Sequence, residues 1–309
     1  MSTLYLGHPA SLDHATPPGH PERADRIRVV ERVLEDERFA ALVREQAPRA
    51  ELADAALAHP MRHVEAVAAL APREGLAAID GDTVLSPGSL EAALRAVGAA
   101  MRGVDEVMSG RVANAFAAMR PPGHHAERTR AMGFCLFNHA AIAARHARAK
   151  HGADRVALVD WDVHHGNGSQ DIFWDDPAVL YASTHQMPLY PGTGAASERG
   201  EHGTIVNVPL HPGDDGTVFR EAFEHGVLAR LDAFAPDLIV ISAGFDAHWR
   251  DPLANLRLTE ADFAWATRRV MEVADRHAGG RVVSVLEGGY DLEGLSRSVA
   301  AHVEALMGR

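Results

Sequence analysis

Cysteine is almost absent from this chain: Cys135 is the only one in 309 residues. A lone thiol closes no internal disulfide, and this chain alone builds no all-cysteine or Cys/His zinc finger and no iron–sulfur cluster. A metal held here must use histidine and carboxylate, and histidine is plentiful, at 19 residues. Lysine is nearly as scarce. Lys150 stands alone, arginine supplies the rest of the 30 basic side chains, and 42 acidic ones leave a net charge of −12. That field opposes non-specific binding to nucleic acid or to an anionic membrane, so neither is expected as a direct partner.

Long hydrophobic runs are missing too. Stretches such as Leu238 to Ile241 fall far short of the ~20 residues that span a bilayer. The first nine residues, Met1 to Pro9, lack the basic and apolar regions of a secretory signal, so a cytoplasmic location is expected. No low-complexity linker, charge run or repeat divides the chain, and a single domain over 1–309 is expected.

What is present is an alternation of elements. Six short apolar runs read as strands covered on both faces: Val112–Met119, Val156–Trp161, Val179–Ser183, Thr204–Val208, Leu238–Ala243 and Val282–Leu286. Helical patterns fall near 136–151, 217–234, 259–278 and 291–307, and upstream at 22–36, 61–71 and 89–109. Thr259 and Asp262 have the spacing of a capping box. This alternation predicts an α/β/α sandwich with a mainly parallel central sheet, in which ligands sit beyond the carboxyl ends of the strands.

Polar clusters follow four of the strands. They are Arg120-Pro-Pro-Gly-His124-His125, Asp162-Val-His164-His165-Gly-Asn167, Gly244-Phe-Asp246-Ala-His248 and Glu287-Gly-Gly-Tyr290-Asp291. Strand periodicity would turn Asp160, Asp162 and His164 to one side, so that Asp162 and His164 reach one metal ion, with Asp246 as third ligand. Two carboxylates and one imidazole leave a position open for water or a carbonyl oxygen, as a catalytic zinc needs. An isolated Asp-x-His is also a common strand or helix cap. The tandem His124-His125 supplies a proton carrier near neutral pH, with Asp160 as a partner for its imidazole. Adjacent loop histidines are otherwise surface residues. Tyr290 can polarise a carbonyl and stabilise an oxyanion, or simply pack its ring. Gly166-Asn-Gly168 starts a dinucleotide fingerprint, but Asp171 stands where the third glycine belongs. The apolar neighbours of Cys135 point to a packed, inert thiol.

Taken with Gly133-Phe134-Cys135, Tyr190-Pro-Gly-Thr-Gly and the N-terminal Gly19-His-Pro-Glu-Arg23, these motifs occur in the order of the zinc-dependent histone deacetylases. The chain resembles that family from about residue 5 to 305, and most closely its bacterial class II-like branch, which includes acetylpolyamine amidohydrolases. The resemblance implies the arginase/deacetylase fold, one zinc held by Asp162, His164 and Asp246, and proton transfer by His125. His124, held by Asp160, would act electrostatically, and Tyr290 would bond the scissile carbonyl. Asn167, where some relatives carry Asp, would be a neutral partner for His125. Gly133 would offer a backbone acceptor to the substrate amide, and Phe134 and Tyr190 would wall a tunnel around the acyl-lysine chain. The resemblance also implies a structural potassium near Asp160, Asp162, His164, Ser183 and Thr184, a second near Phe173 and Val179, and a homodimer or homotetramer.

The expected reaction is hydrolysis of acetyl-lysine or a similar acetylated amine. One polyamine-specific relative has Glu where this chain has the neutral Leu253, which weighs against that recognition mode. Asp80 or Asp82 could still serve a polyamine enzyme as acidic rim groups. Acetylpolyamine hydrolysis is therefore the alternative activity, and a non-catalytic acyl-lysine binding module the alternative class.

Overall fold

The computed structural model describes residues 2–308. Its strands are β1 (Thr3–Gly7), β2 (Val43–Gln46), β3 (Ala77–Ala78), β4 (Val84–Leu85), β5 (Asn114–Ala117), β6 (Val156–Asp160), β7 (Val179–Gln186), β8 (Ile205–Leu210), β9 (Leu238–Ala243) and β10 (Val282–Leu286). Eight of them form one sheet in the order β2-β1-β5-β10-β9-β6-β7-β8, and every neighbouring pair is parallel. Strands β3 and β4 make a separate antiparallel hairpin.

The near-continuous apolar runs are explained by two cores. In β6, Val156 and Leu158 join the core beneath helices Ser89–Met108 and His139–His151. Ala157 and Val159 join the core beneath helices Asp25–Leu34, Glu260–His277 and Leu292–Leu306. The same alternation divides Leu4 and Leu6 from Tyr5 in β1. Thr259 and Asp262 form a reciprocal capping box, and Gly152 ends the 139–151 helix in the left-handed conformation. The predicted helix over 217–234 is one continuous helical segment from Gly216 to Phe234, widened to i→i+5 turns through Phe223–Leu228.

The two outermost strands on one side of the sheet, β2 and β1, carry no periodic signal in the sequence. β2 is a polar edge strand, Val-Arg-Glu-Gln, mostly exposed, so it carries no apolar signal. β1, only five residues, precedes any periodic segment. Predicted ends also moved: β5 is shorter than Val112–Met119, and the helix expected from 136 starts at His139, capped by the Asn138 side chain.

Register does the positioning. Ala117, Val285, Ser242, Asp160 and Ser183 are successive Cα partners in one row across β5, β10, β9, β6 and β7. The four strands followed by polar clusters are thus neighbours whose carboxyl ends are level.

Candidate active site

Strand β6 stops at Asp160, so the pleat does not aim Asp162 and His164, as the spacing suggested. They converge through turns closed by side chains instead. Asp162 N–H donates to Asp160 Oδ1 at 3.1 Å, and His164 N–H to Asp162 Oδ1 at 2.9 Å. Asp246 arrives from the end of β9, and its Oδ1 accepts from Val163 N–H at 2.8 Å. His164 Nδ1 then lies 3.1 Å from both Asp162 Oδ1 and Asp246 Oδ2. All three side chains are buried, and their ligand atoms lie within 4.8 Å of one another.

Two buried carboxylates and one imidazole form a donor set suited to zinc. Burial and the charge of Asp162 push Asp246 up to about 6. Burial disfavours the His164 imidazolium, yet the two carboxylates outweigh it and raise that group to about 10. A divalent cation held by Asp162, His164 and Asp246 would compete with that proton. Space is reserved by Gly288, where a Cβ would lie 2.1 Å from Asp246 Oδ2 and 2.5 Å from Asp162 Oδ2.

The tandem histidines have opposite surroundings. Glu287 Oε2 accepts from the backbone N–H groups of Gly123 and His124 at 2.7 and 3.1 Å, which clamps their loop to the end of β10. His124 Nδ1 sits 3.0 Å from Asp160 Oδ2, which also accepts from the Tyr181 hydroxyl at 3.1 Å. Burial works against its charge, but Asp162 and Asp160 hold His124 well above the usual imidazole range. His125 Nδ1 sits 2.7 Å from Asn167 Oδ1. Burial, with His124 and His164 nearby, holds His125 well below the usual range. One imidazole is thus set up as a fixed charge and the other as a neutral base.

Over these groups lies a cavity of about 230 Å³, lined by Asp82, His125, Gly133, Phe134, His164, Leu189, Tyr190, Leu253 and Tyr290. Gly133 has φ +57°, and a Cβ there would lie 2.5 Å from the His125 ring. Phe134 also has a positive φ, +69°, unusual for an aromatic residue. Its N–H donates to Thr83 Oγ1 at 3.1 Å, and its ring meets Tyr290 edge-on at 5.9 Å. Tyr190 stands edge-on to His125 at 5.1 Å. Tyr290 N–H donates to Asp251 Oδ2 at 2.7 Å, and the Arg26 guanidinium lies 4.9 Å from its ring centre. Arg26 also donates to Gly289 O at 2.6 Å, which secures this loop. Burial pushes the phenol of Tyr290 well above its usual range, so it stays a donor.

Asp160 and Ser183 are direct neighbours across β6 and β7. Thr184 Oγ1 is buried without a hydrogen-bond partner among the described residues. Phe173 and Val179 flank the 174–178 turn, where Phe173 O accepts from Asp176 N–H. Cys135 is buried, donates to Gly133 O at 3.3 Å, and has its thiol pKa raised well above normal by burial.

Among the contributors that the local sequence pattern does not mark are Glu287, Asp251 and Arg26. Glu287 directly follows a strand. The other two act on backbone groups far away in sequence, which leaves no local signal.

A family model of the histone deacetylase domain matches residues 20–306. The chain belongs to the histone deacetylase family. It is similar to a probable deacetylase of Archaeoglobus fulgidus, at 39% identity over 303 residues covering 95% of this chain and 83% of the relative. It is also similar to the histone deacetylase-like amidohydrolase of Pseudomonas aeruginosa, at 40% identity over 277 residues covering 88% and 73%. The crystal structure of the HDA15 HD domain matches with a TM-score of 0.94 at 38% identity, covering 100% of this chain and 89% of that one. As a histone deacetylase family member, this chain is a deacetylase, a hydrolase acting on amides.

Proposed function

We propose that this deacetylase is a zinc enzyme of one catalytic domain, 1–309, whose preferred substrates are acetyl-lysine side chains. One observation carries the reading. One partly aromatic cavity is lined by His164 of the candidate ligand set, His125 and Tyr290 together with Phe134 and Tyr190. Asp162, His164 and Asp246 would hold the zinc, which when bound supplies Lewis acidity toward a carbonyl and a water molecule.

The remaining chemistry belongs to the chain. Phe134 and Tyr190 flank an extended aliphatic side chain, and the Gly133 carbonyl is the candidate acceptor for the substrate amide. His125 Nε2 takes the proton of the attacking water while its Nδ1–H is held by Asn167. The Tyr290 hydroxyl donates to the oxygen on which negative charge develops. His125 then returns its proton to the departing amine, and His124 beside Asp160 contributes fixed positive charge. The unpartnered hydroxyl of Thr184 beside Ser183 supports a structural potassium with Asp160, Asp162 and His164.

A second substrate reading, acetylated polyamines, is favoured by Asp82, an acidic group lining the cavity; Leu253, also in the lining, offers no charge. The deciding experiment measures acetate release from acyl-lysine peptides of several chain lengths and from acetylputrescine, before and after chelation and zinc return. Zinc-dependent release with the higher kcat/KM on acetyl-lysine peptide is the expected result. Tight ligand binding without release from any substrate would make the chain a binding module.

A further inference from the structure

Asn167 is gripped at both ends. Its Oδ1 lies 2.7 Å from His125 Nδ1, and its Nδ2 donates to Glu127 Oε1 at 2.7 Å. Both neighbours come from one loop, since Glu127 follows His125 by two residues. The backbone of Glu127 is itself held: its N–H donates to Arg130 O at 2.9 Å, and its carbonyl lies 3.0 Å from His59 Nδ1.

These contacts form a chain of forced assignments. A carboxylate only accepts, so the end of Asn167 facing Glu127 must be the NH₂. The end facing His125 is then the carbonyl oxygen, which also only accepts. His125 Nδ1 must therefore carry the hydrogen, which leaves the Nε2 lone pair free on the other side of the ring. Without Glu127 the carboxamide could reverse, presenting its NH₂ to His125 and stabilising the tautomer that has no basic Nε2. The grip also excludes a second acid. Asp at position 167 would set its carboxylate against that of Glu127 at a donor–acceptor distance, with no proton between them.

We propose that Glu127 is a positioning residue for deacetylation: through Asn167 it fixes the tautomer of His125, and the pair 127/167 tolerates a carboxylate at one position but not at both. This rests on the reading of His125 as general base.

The test is a double-substitution cycle in the full, zinc-loaded chain. Asn167→Asp alone should lower kcat on the order of tenfold or more with KM little changed, the scale of a lost supporting contact. Glu127→Gln alone should cause a smaller loss, because a Gln–Asn pair can adopt either orientation. Combining the two restores a one-way chain, with the Gln NH₂ donating to the Asp carboxylate and His125 Nδ1–H donating to its other oxygen. The double variant should therefore be more active than Asn167→Asp. A spectroscopic reading accompanies the kinetics: ¹⁵N NMR of the metal-free protein should show His125 as a single Nδ1–H tautomer, and Glu127→Gln should introduce the other. Multiplicative losses in the double variant, or a His125 tautomer indifferent to Glu127→Gln, would overturn the proposal. His125→Ala is the control for the underlying reading. If it retains full turnover, His125 is not the base and the proposal falls with it.

Discussion

The backbone N–H of Gly288 donates to Asp162 Oδ2 at 2.8 Å, joining the loop after β10 to the candidate ligand turn after β6 across 126 residues of sequence. The same glycine leaves room for Asp246. Its φ is not in the left-handed region, so alanine suits the backbone, and the atoms nearest to its Cβ would be those of the two carboxylates.

Gly288→Ala is therefore expected to damage metal binding more than folding. Displacing groups that support metal ligands costs on the order of 10- to 100-fold in metal affinity. Calorimetric zinc titration should show that loss, while the chelated variant melts close to the chelated parent. Unchanged zinc affinity would mean that the loop yields and that the close approach has no role in the site.

Tyr290→Phe removes a hydroxyl but keeps the ring that lies beside Arg26 and Phe134. If the hydroxyl stabilises developing negative charge, kcat should fall about 100- to 1000-fold, the effect of losing one such donor. Zinc content and KM should stay near parental values. A small loss of kcat would assign Tyr290 to the cavity wall alone.

The sandwich was legible because each central strand is a run of apolar residues split between two cores, and the site because four polar clusters directly follow four such strands. The helices over 89–108 and 260–277 were legible from amphipathic spacing and, in the second, from Thr259 and Asp262. The polar edge strand β2 was not, since pairing with β1 rather than burial makes it a strand. The turn geometry of Asp160, Asp162 and His164 also escaped, because the Asp160 and Asp162 side chains cap the backbone N–H groups two residues on, in a way that an alternating pattern imitates. The grips of Asp251 on Tyr290 and of Glu287 on His124 depend on strand order, which one sequence read alone does not show.

Histidine abundance has a physical consequence away from the site. His302 is fully buried between β10 and helix Glu260–His277, with Nδ1 2.7 Å from Thr267 Oγ1 and Nε2 2.9 Å from Ser284 Oγ. Thr267 spends its hydrogen on Phe263 O, so His302 Nδ1 donates and Nε2 accepts from Ser284, which fixes a neutral ring. Burial lowers its pKa from 6.5 to about 3. The unfolded chain therefore takes up the proton first as pH falls. Stability from this residue is whole above pH 6.5 and drains between 6.5 and about 3, by about 1.4 kcal/mol per pH unit. Urea unfolding at pH 7 and pH 5 should show about 2 kcal/mol less difference in His302→Gln than in the parent, whatever the variant's baseline. Equal differences would show that His302 does not contribute to acid sensitivity. Burial also lowers His59, His139 and His185 to about 4, so each should add to the same acid limb.

Substrate charge should be read at Asp82. This side chain lines the cavity with Phe134 and Leu253, and accepts from the Thr83 hydroxyl at 2.9 Å. Burial raises its pKa, and the adjacent Asp80 adds to that effect. A substrate carrying an ammonium group near the mouth would gain an ion pair with Asp82; the backbone of an acetyl-lysine peptide would not. A partly exposed pair is worth at most about 1 kcal/mol, so Asp82→Asn should raise KM for acetylputrescine about 3- to 5-fold. KM for an uncharged acetyl-lysine peptide should barely move, and added salt should shrink the contrast as it screens the pair. If both substrates lose equally, Asp82 shapes the hairpin turn beside Phe134 and does not select charge.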